Sequence, residues 1–156
     1  MMSVGGRRLL RRFGALRRSE TGSAMVELAV VLPVLLLIAI GVMDYGRVYF
    51  TSVAVANAAR AGAEWGASEP GNQTQFTKME DFAKLDGAEA APITVTASRV
   101  CRCGATTVLC SATCGAYGVP RVFIQVTASK NVTMLLNYPG LPPTVTVSRT
   151  ATFRSQ

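Results

Sequence analysis

The sequence contains no histidine, and that single absence excludes much chemistry. Histidine is the usual general base near neutral pH and the commonest metal ligand. Without it, neither a Ser/His/Asp nor a Cys/His nucleophile can be assembled. Acids are scarce, nine Asp and Glu against 16 Lys and Arg, for a formal charge of +7. Glu80, Asp81, Asp86 and Glu89 fall close together, and they read as a solvated face rather than a metal site. No Walker A sequence and no Gly-rich dinucleotide loop occurs, and no internal repeat is visible. Trp65 is the single tryptophan, read as a core or edge anchor. The expectation is a chain that is not an enzyme and holds no cofactor or metal.

What is present is unevenly placed. Ser23–Met43 reads SAMVELAVVLPVLLLIAIGVM, with Glu27 its one ionisable residue. At 1.5 Å per residue a helix of that length spans about 31 Å, close to the roughly 30 Å of a bilayer core. Before it stand Arg7, Arg8, Arg11, Arg12, Arg17 and Arg18 against Glu20 alone, whereas Arg47 is the only base close on the other side. The positive-inside rule therefore predicts a cytoplasmic N-terminus. From Ser23 onward ten bases nearly balance eight acids, so the basic pI reflects membrane topology rather than nucleic-acid binding. Tyr45, Tyr49 and Phe50 fall where an interfacial aromatic belt would lie. The competing reading is a cleaved secretory signal, since Ala54-Val55-Ala56 matches an Ala-x-Ala site. The apolar run exceeds the usual h-region of about 7–15 residues, however, and the match lies well past its end. Pro33 removes one helix hydrogen bond, which membrane helices tolerate.

Glu27 is the informative residue. An ionisable group within a membrane span costs a few kcal/mol and needs a partner. Cleavage after Gly22 would create one, because Ser23 would then carry an α-ammonium group four residues away on the same helix face. Glu27 would also lie near the positive end of the helix dipole. In an assembly it would pair with the Ser23 amine of a neighbour and help to set register. The alternative is a glutamate that reaches back to headgroup water.

This junction resembles the type IV pilin superfamily, and more narrowly the TadE-like minor pilins (pseudopilins) of tight-adherence, or Flp, pilus systems. The resemblance is carried by Gly22-Ser23-Ala24-Met25-Val26-Glu27-Leu28-Ala29, Leu32-Pro33-Val34-Leu35-Leu36 and Gly41-Val42-Met43-Asp44-Tyr45-Gly46-Arg47, followed by Ala58-Ala59-Arg60-Ala61-Gly62-Ala63. Together they cover residues 17–67. The resemblance implies cutting between Gly22 and Ser23 by a prepilin peptidase, with Glu27 as the pilin-type glutamate at mature position five. It also implies a structural, non-catalytic role in building or priming a pilus. Leu28 departs from the pattern, since many members have an aromatic residue after the glutamate.

Beyond the membrane, residues 44–67 are rich in Ala and lack Pro, which predicts a continued helix. Tyr45, Val48/Tyr49, Ser52, Val55/Ala56, Ala59 and Gly62/Ala63 recur at helical spacing and form a mostly small face suited to close packing. Gly66 and Ser68–Gly71 mark its end, and Gly71–Gln73 is a turn. Thr74–Leu85 forms a short amphipathic helix with Phe76, Met79 and Phe82–Ala83 on one side, and Gly87 ends it. The pattern then changes to period two at Ile93–Ser98, Val122–Thr127 and Val145–Phe153, with a turn-rich connector over Asn137–Pro143. The fold expected is α+β, a helix carrying an antiparallel sheet of three or four strands.

Cys101, Cys103, Cys110 and Cys114 fall in a Gly/Thr/Ser-rich loop between two strands. An extracytoplasmic setting favours disulfides. A Cys101–Cys103 bridge would close a small strained ring, which directs both to Cys110 and Cys114. A four-thiolate zinc site and free or intermolecular thiols are the rivals. A Cys-x-x-Cys redox pair is absent. A similar cysteine-bearing loop occurs in some TadE-like proteins.

The expected organisation is a basic cytoplasmic leader (1–22), a transmembrane helix (23–43), a helix extension (44–67) and an extracytoplasmic α+β domain (68–156) with its Cys loop at 101–114. The chain would sit in a bacterial inner membrane, with a prepilin peptidase, other pilin-like subunits, the assembly platform and the bilayer as partners, and no nucleic acid. The rival from another class is an uncleaved, membrane-anchored binding or adhesion domain.

Overall fold

The computed structural model describes residues 20–115, 118–137 and 139–155, with side chains described from Gly22 onward. Most of the predicted basic leader lies outside the described residues, as does Tyr138 of the connector. Helix α1 runs Glu20–Ser68 and is continuous through Pro33. The chain divides into two compact units, one ending at Val42 and the other formed by Met43–Gln156.

In the first unit the described part of α1 is apolar on every side and buries almost nothing of itself. Met25 is 77 % exposed, Val30 69 % and Ile38 58 %. A helix that is hydrophobic all round requires an apolar surrounding. Among the described residues it is the one helix long and apolar enough to cross a membrane.

In the second unit α1 becomes one-sided. Val55, Ala58, Ala59, Ala63 and Ala67 are buried, at the helical spacing expected of a core face. Tyr45 and Tyr49, which the sequence pattern placed on the packed face, instead point outward, 73 % and 56 % exposed. The helix ends through local chemistry. Ser68 Oγ and Asn72 Nδ2 donate to Trp65 O at 2.8 and 3.2 Å, satisfying a terminal carbonyl. Pro70 then opens a 3₁₀ turn, Pro70–Asn72, where a plain turn was expected. Gly66, read from sequence as part of the stop signal, instead lies inside the helix, buried against Met79 and Ile124.

Helix α2 spans Phe76–Asp86 and buries Met79 and Ala83. Gly87 closes it, its N–H donating to Ala83 O at 2.9 Å. A second 3₁₀ turn, Ala88–Ala90, leads into the sheet. Strands β1 (Thr94–Cys103), β2 (Thr106–Val108), β3 (Arg121–Thr133) and β4 (Thr144–Arg154) pair antiparallel in the order β2-β1-β3-β4. Alternation assigns the faces. Val95, Ile124, Val126 and Ala128 are buried with the α1 and α2 residues in one core. The opposite face carries Thr94, Thr96, Gln125, Thr127, Thr150 and Thr152 in register, as expected of an antiparallel sheet covered on one side. The fold is therefore α+β, with a long N-terminal apolar helix, a short helix and a four-stranded antiparallel sheet. The strands outrun their sequence signals. Thr94–Cys103 carries the first strand through two of the cysteines, and β2 lies inside the stretch read as an irregular loop.

Candidate functional site

Two places gather the residues singled out by sequence. The first is the start of α1. Gly22 and Ser23 are exposed and helical, and a side chain added at Gly22 would meet nothing within 4 Å. Glu27 is exposed one turn beyond Ser23, and no ion pair involves it among the described residues. A carboxylate on an otherwise apolar surface is therefore available to a cation brought to it. The helix geometry sets position 23 directly beneath it, one turn toward the N-terminus.

The second place is the far end of the sheet. Cys101 bonds to Cys110 and Cys103 to Cys114, with Cα–Cα distances of 5.1 and 5.4 Å. The crossed pairing ties the β1–β2 hairpin to the segment leading into β3. Cys101 and Cys114 are buried, so the bridges also extend the core into a region with few large apolar residues. All four sulfurs are consumed, and no cysteine is free. This removes the four-thiolate zinc reading, since a disulfide sulfur is no thiolate ligand. Among the described residues no group of His, Cys, Asp or Glu is placed to hold a metal. Of the acidic cluster, Asp81, Asp86 and Glu89 are exposed. Glu80 is half-buried and accepts the Ala97 N–H at 3.4 Å, which links α2 to the edge of β1.

Sequence reading passed over Asp44 except as part of a motif. It is 4 % exposed, and its carboxylate accepts the Leu135 N–H, with Oδ1 at 2.9 Å and Oδ2 at 3.2 Å. Arg47 lies 3.8 Å away, one turn on, and donates to Thr133 O at 3.4 Å. The pair fastens α1 to the end of β3 and the loop beyond. Its signal was faint, an acid closing an apolar run three residues before an arginine. Trp65 is half-buried and stacks on Phe82 with ring centroids 5.1 Å apart, an anchor between the two helices.

The fold and the bare helix together give, among the described residues, one helix long and apolar enough to anchor the chain in a membrane and a C-terminal α+β domain. Comparison with known families sharpens this. Residues 22–64 match the model of the TadE-like protein family, so the segment that carries Gly22, Glu27 and the small-residue face of α1 is TadE-like. No curated protein matches the chain significantly, and no solved structure does.

Proposed function

We propose that the chain is a TadE-like minor pilin or pseudopilin, a non-catalytic structural or assembly subunit of a Tad/Flp-type pilus. The observation that carries this is Glu27, a carboxylate on an exposed apolar helix within the TadE-like segment. A prepilin peptidase removes residues 1–22. The new Ser23 ammonium then neutralises Glu27, in the same subunit or in a neighbour, and the apolar length of α1 packs against other pilin-like helices instead of lipid. In low dielectric such a pair is both stronger and more position-dependent than in water. The basic leader holds the N-terminus in the cytoplasm of an inner-membrane protein, and the α+β domain faces outward. There the cysteines find oxidising conditions, and the domain meets the assembly platform or the fibre.

The test is intact mass and N-terminal sequencing after co-expression with a prepilin peptidase. The expected product begins at Ser23, and Gly22→Val abolishes it. A chain still carrying Met1 in the presence of an active peptidase overturns the reading and favours an uncleaved, membrane-anchored binding domain. A product starting after Ala56 would instead indicate ordinary signal cleavage.

A further inference from the structure

Charge separates along this chain in a way that its total conceals. Every carboxylate side chain lies at or before Glu89, whereas residues 90–156 carry Arg99, Arg102, Arg121, Lys130, Arg149 and Arg154 and no acid. Two of these bases are engaged internally. Lys130 Nζ donates to Ala91 O at 3.0 Å, and Arg149 Nη2 donates to Ser52 Oγ at 2.7 Å. At the disulfide end of the sheet the situation differs.

Arg102 on β1 and Arg121 on β3 are direct cross-strand partners, on the face turned away from the helices. Arg154 sits on the same face beside Phe123. Like charges placed directly opposite destabilise a sheet. Among the described residues the one salt bridge, Arg47–Asp44, lies elsewhere. The Arg102 guanidinium is laid over the Phe123 ring, 5.3 Å from its centroid, which fixes its position. Its Nε is buried and has no hydrogen-bond partner among the described residues. A buried donor without an acceptor is uncommon and costly. Arg102 also lines a cavity of about 170 Å³, together with Cys103, Gly104, Cys114, Val119 and Arg121. The Cys103–Cys114 bridge stiffens its wall, and no carboxylate of the described residues enters the lining.

We infer that this cavity binds a tetrahedral oxyanion, a phosphate or sulfate group held between Arg102 and Arg121. Guanidinium forks match the oxygens of such groups and bind them by charge-assisted hydrogen bonds. A divalent anion neutralises both arginines, which a single carboxylate does not. The cation–π contact holds one fork in place before binding, so less side-chain freedom is lost. The group arrives either as the free ion or as an ester on a saccharide. The site is independent of leader removal and of the pilin reading.

The experiment uses the full chain in a non-ionic maltoside micelle at low ionic strength. Inorganic phosphate, inorganic sulfate and glucose 1-phosphate are titrated separately, with sodium chloride matched in ionic strength. Expected are a saturable shift of the Arg102 Nε–H resonance with phosphate and sulfate, none with chloride, and a rise in thermal midpoint with ligand concentration. A tighter response to glucose 1-phosphate identifies the ester as the source, and an equal or weaker one identifies the free ion. Arg121 is exposed, so Arg121→Gln folds, and it weakens binding by about tenfold or more, the scale of one charge-assisted contact. Arg102→Lys keeps the charge but removes the fork and weakens binding likewise. No saturation by roughly 10 mM phosphate, where even a millimolar site is mostly filled, overturns the inference. Wild-type affinity in Arg121→Gln overturns it equally.

Discussion

Helix α1 packs tightly against α2 at Gly62, and Gly62→Ala puts the packing there to a quantitative test. A methyl group at this position would sit 2.7 Å from the backbone oxygen of Met79, 3.0 Å from Ala83 Cβ and 3.3 Å from Val126 Cγ1. The first is a main-chain atom of α2, so relief requires the whole of α2 to shift. Overpacking of this kind costs about 1–3 kcal/mol. Against it stands the helix preference of alanine over glycine, about 1 kcal/mol in the other direction. The net expectation is a loss of roughly 1 kcal/mol, lowering the thermal midpoint by about 4–8 °C. Gly46→Ala is the control, since a methyl there meets nothing within 4 Å, and it should melt at or above the wild type. Gly66→Ala falls between them. Its methyl would meet the flexible end of Met79, Sδ and Cε at 2.7 Å, and Ile124 Cγ2 at 2.9 Å, rather than main chain. Trp65 stacks on Phe82 across the α1–α2 contact, so its fluorescence reports the transition directly in micelle-solubilised full chain. If Gly62→Ala melts no lower than wild type, the small-residue face does not determine how closely the helices pack.

Other expectations follow from the same geometry. Asp44→Ala leaves the Leu135 N–H without its carboxylate acceptor and should cost about 1–3 kcal/mol, with faster protease cutting in the loop after β3 as the local readout. Cys103→Ser together with Cys114→Ser removes a bridge spanning 11 residues, for an expected loss of about 2–3 kcal/mol in urea unfolding. Non-reducing peptide maps should recover only the Cys101–Cys110 and Cys103–Cys114 pairs; another pairing contradicts the fold at the sheet end. Ile124→Ala empties a fully buried central-strand position and should cost about 2–5 kcal/mol. Glu27→Gln should leave leader removal intact in a mass assay yet lower incorporation into pilus fractions, and normal incorporation would deny it a pairing role.

Sequence alone determined the parts of this protein whose signals are local. The apolar run of residues 23–43, its basic flank and Glu27 are one-dimensional features, because a helix crossing lipid satisfies its own backbone and needs no distant partner. The antiparallel strands were legible for a related reason. Alternation in β1, β3 and β4 is what a sheet covered on one side requires, and β-branched residues made it visible. The cysteine spacing left pairing to either of two crossed or nested arrangements, and only the β1–β2 hairpin chose between them, by bringing Cys101 opposite Val108 and carrying Cys103 onward to Cys114. Tertiary structure alone decided the roles of Asp44, Gly66 and the opposed pair Arg102 and Arg121. Each depends on a neighbour tens of residues away: Leu135 for Asp44, Ile124 for Gly66 and β3 for Arg102. Sequence spacing carries no record of such encounters, because strand register and helix docking are set by the summed packing of the core.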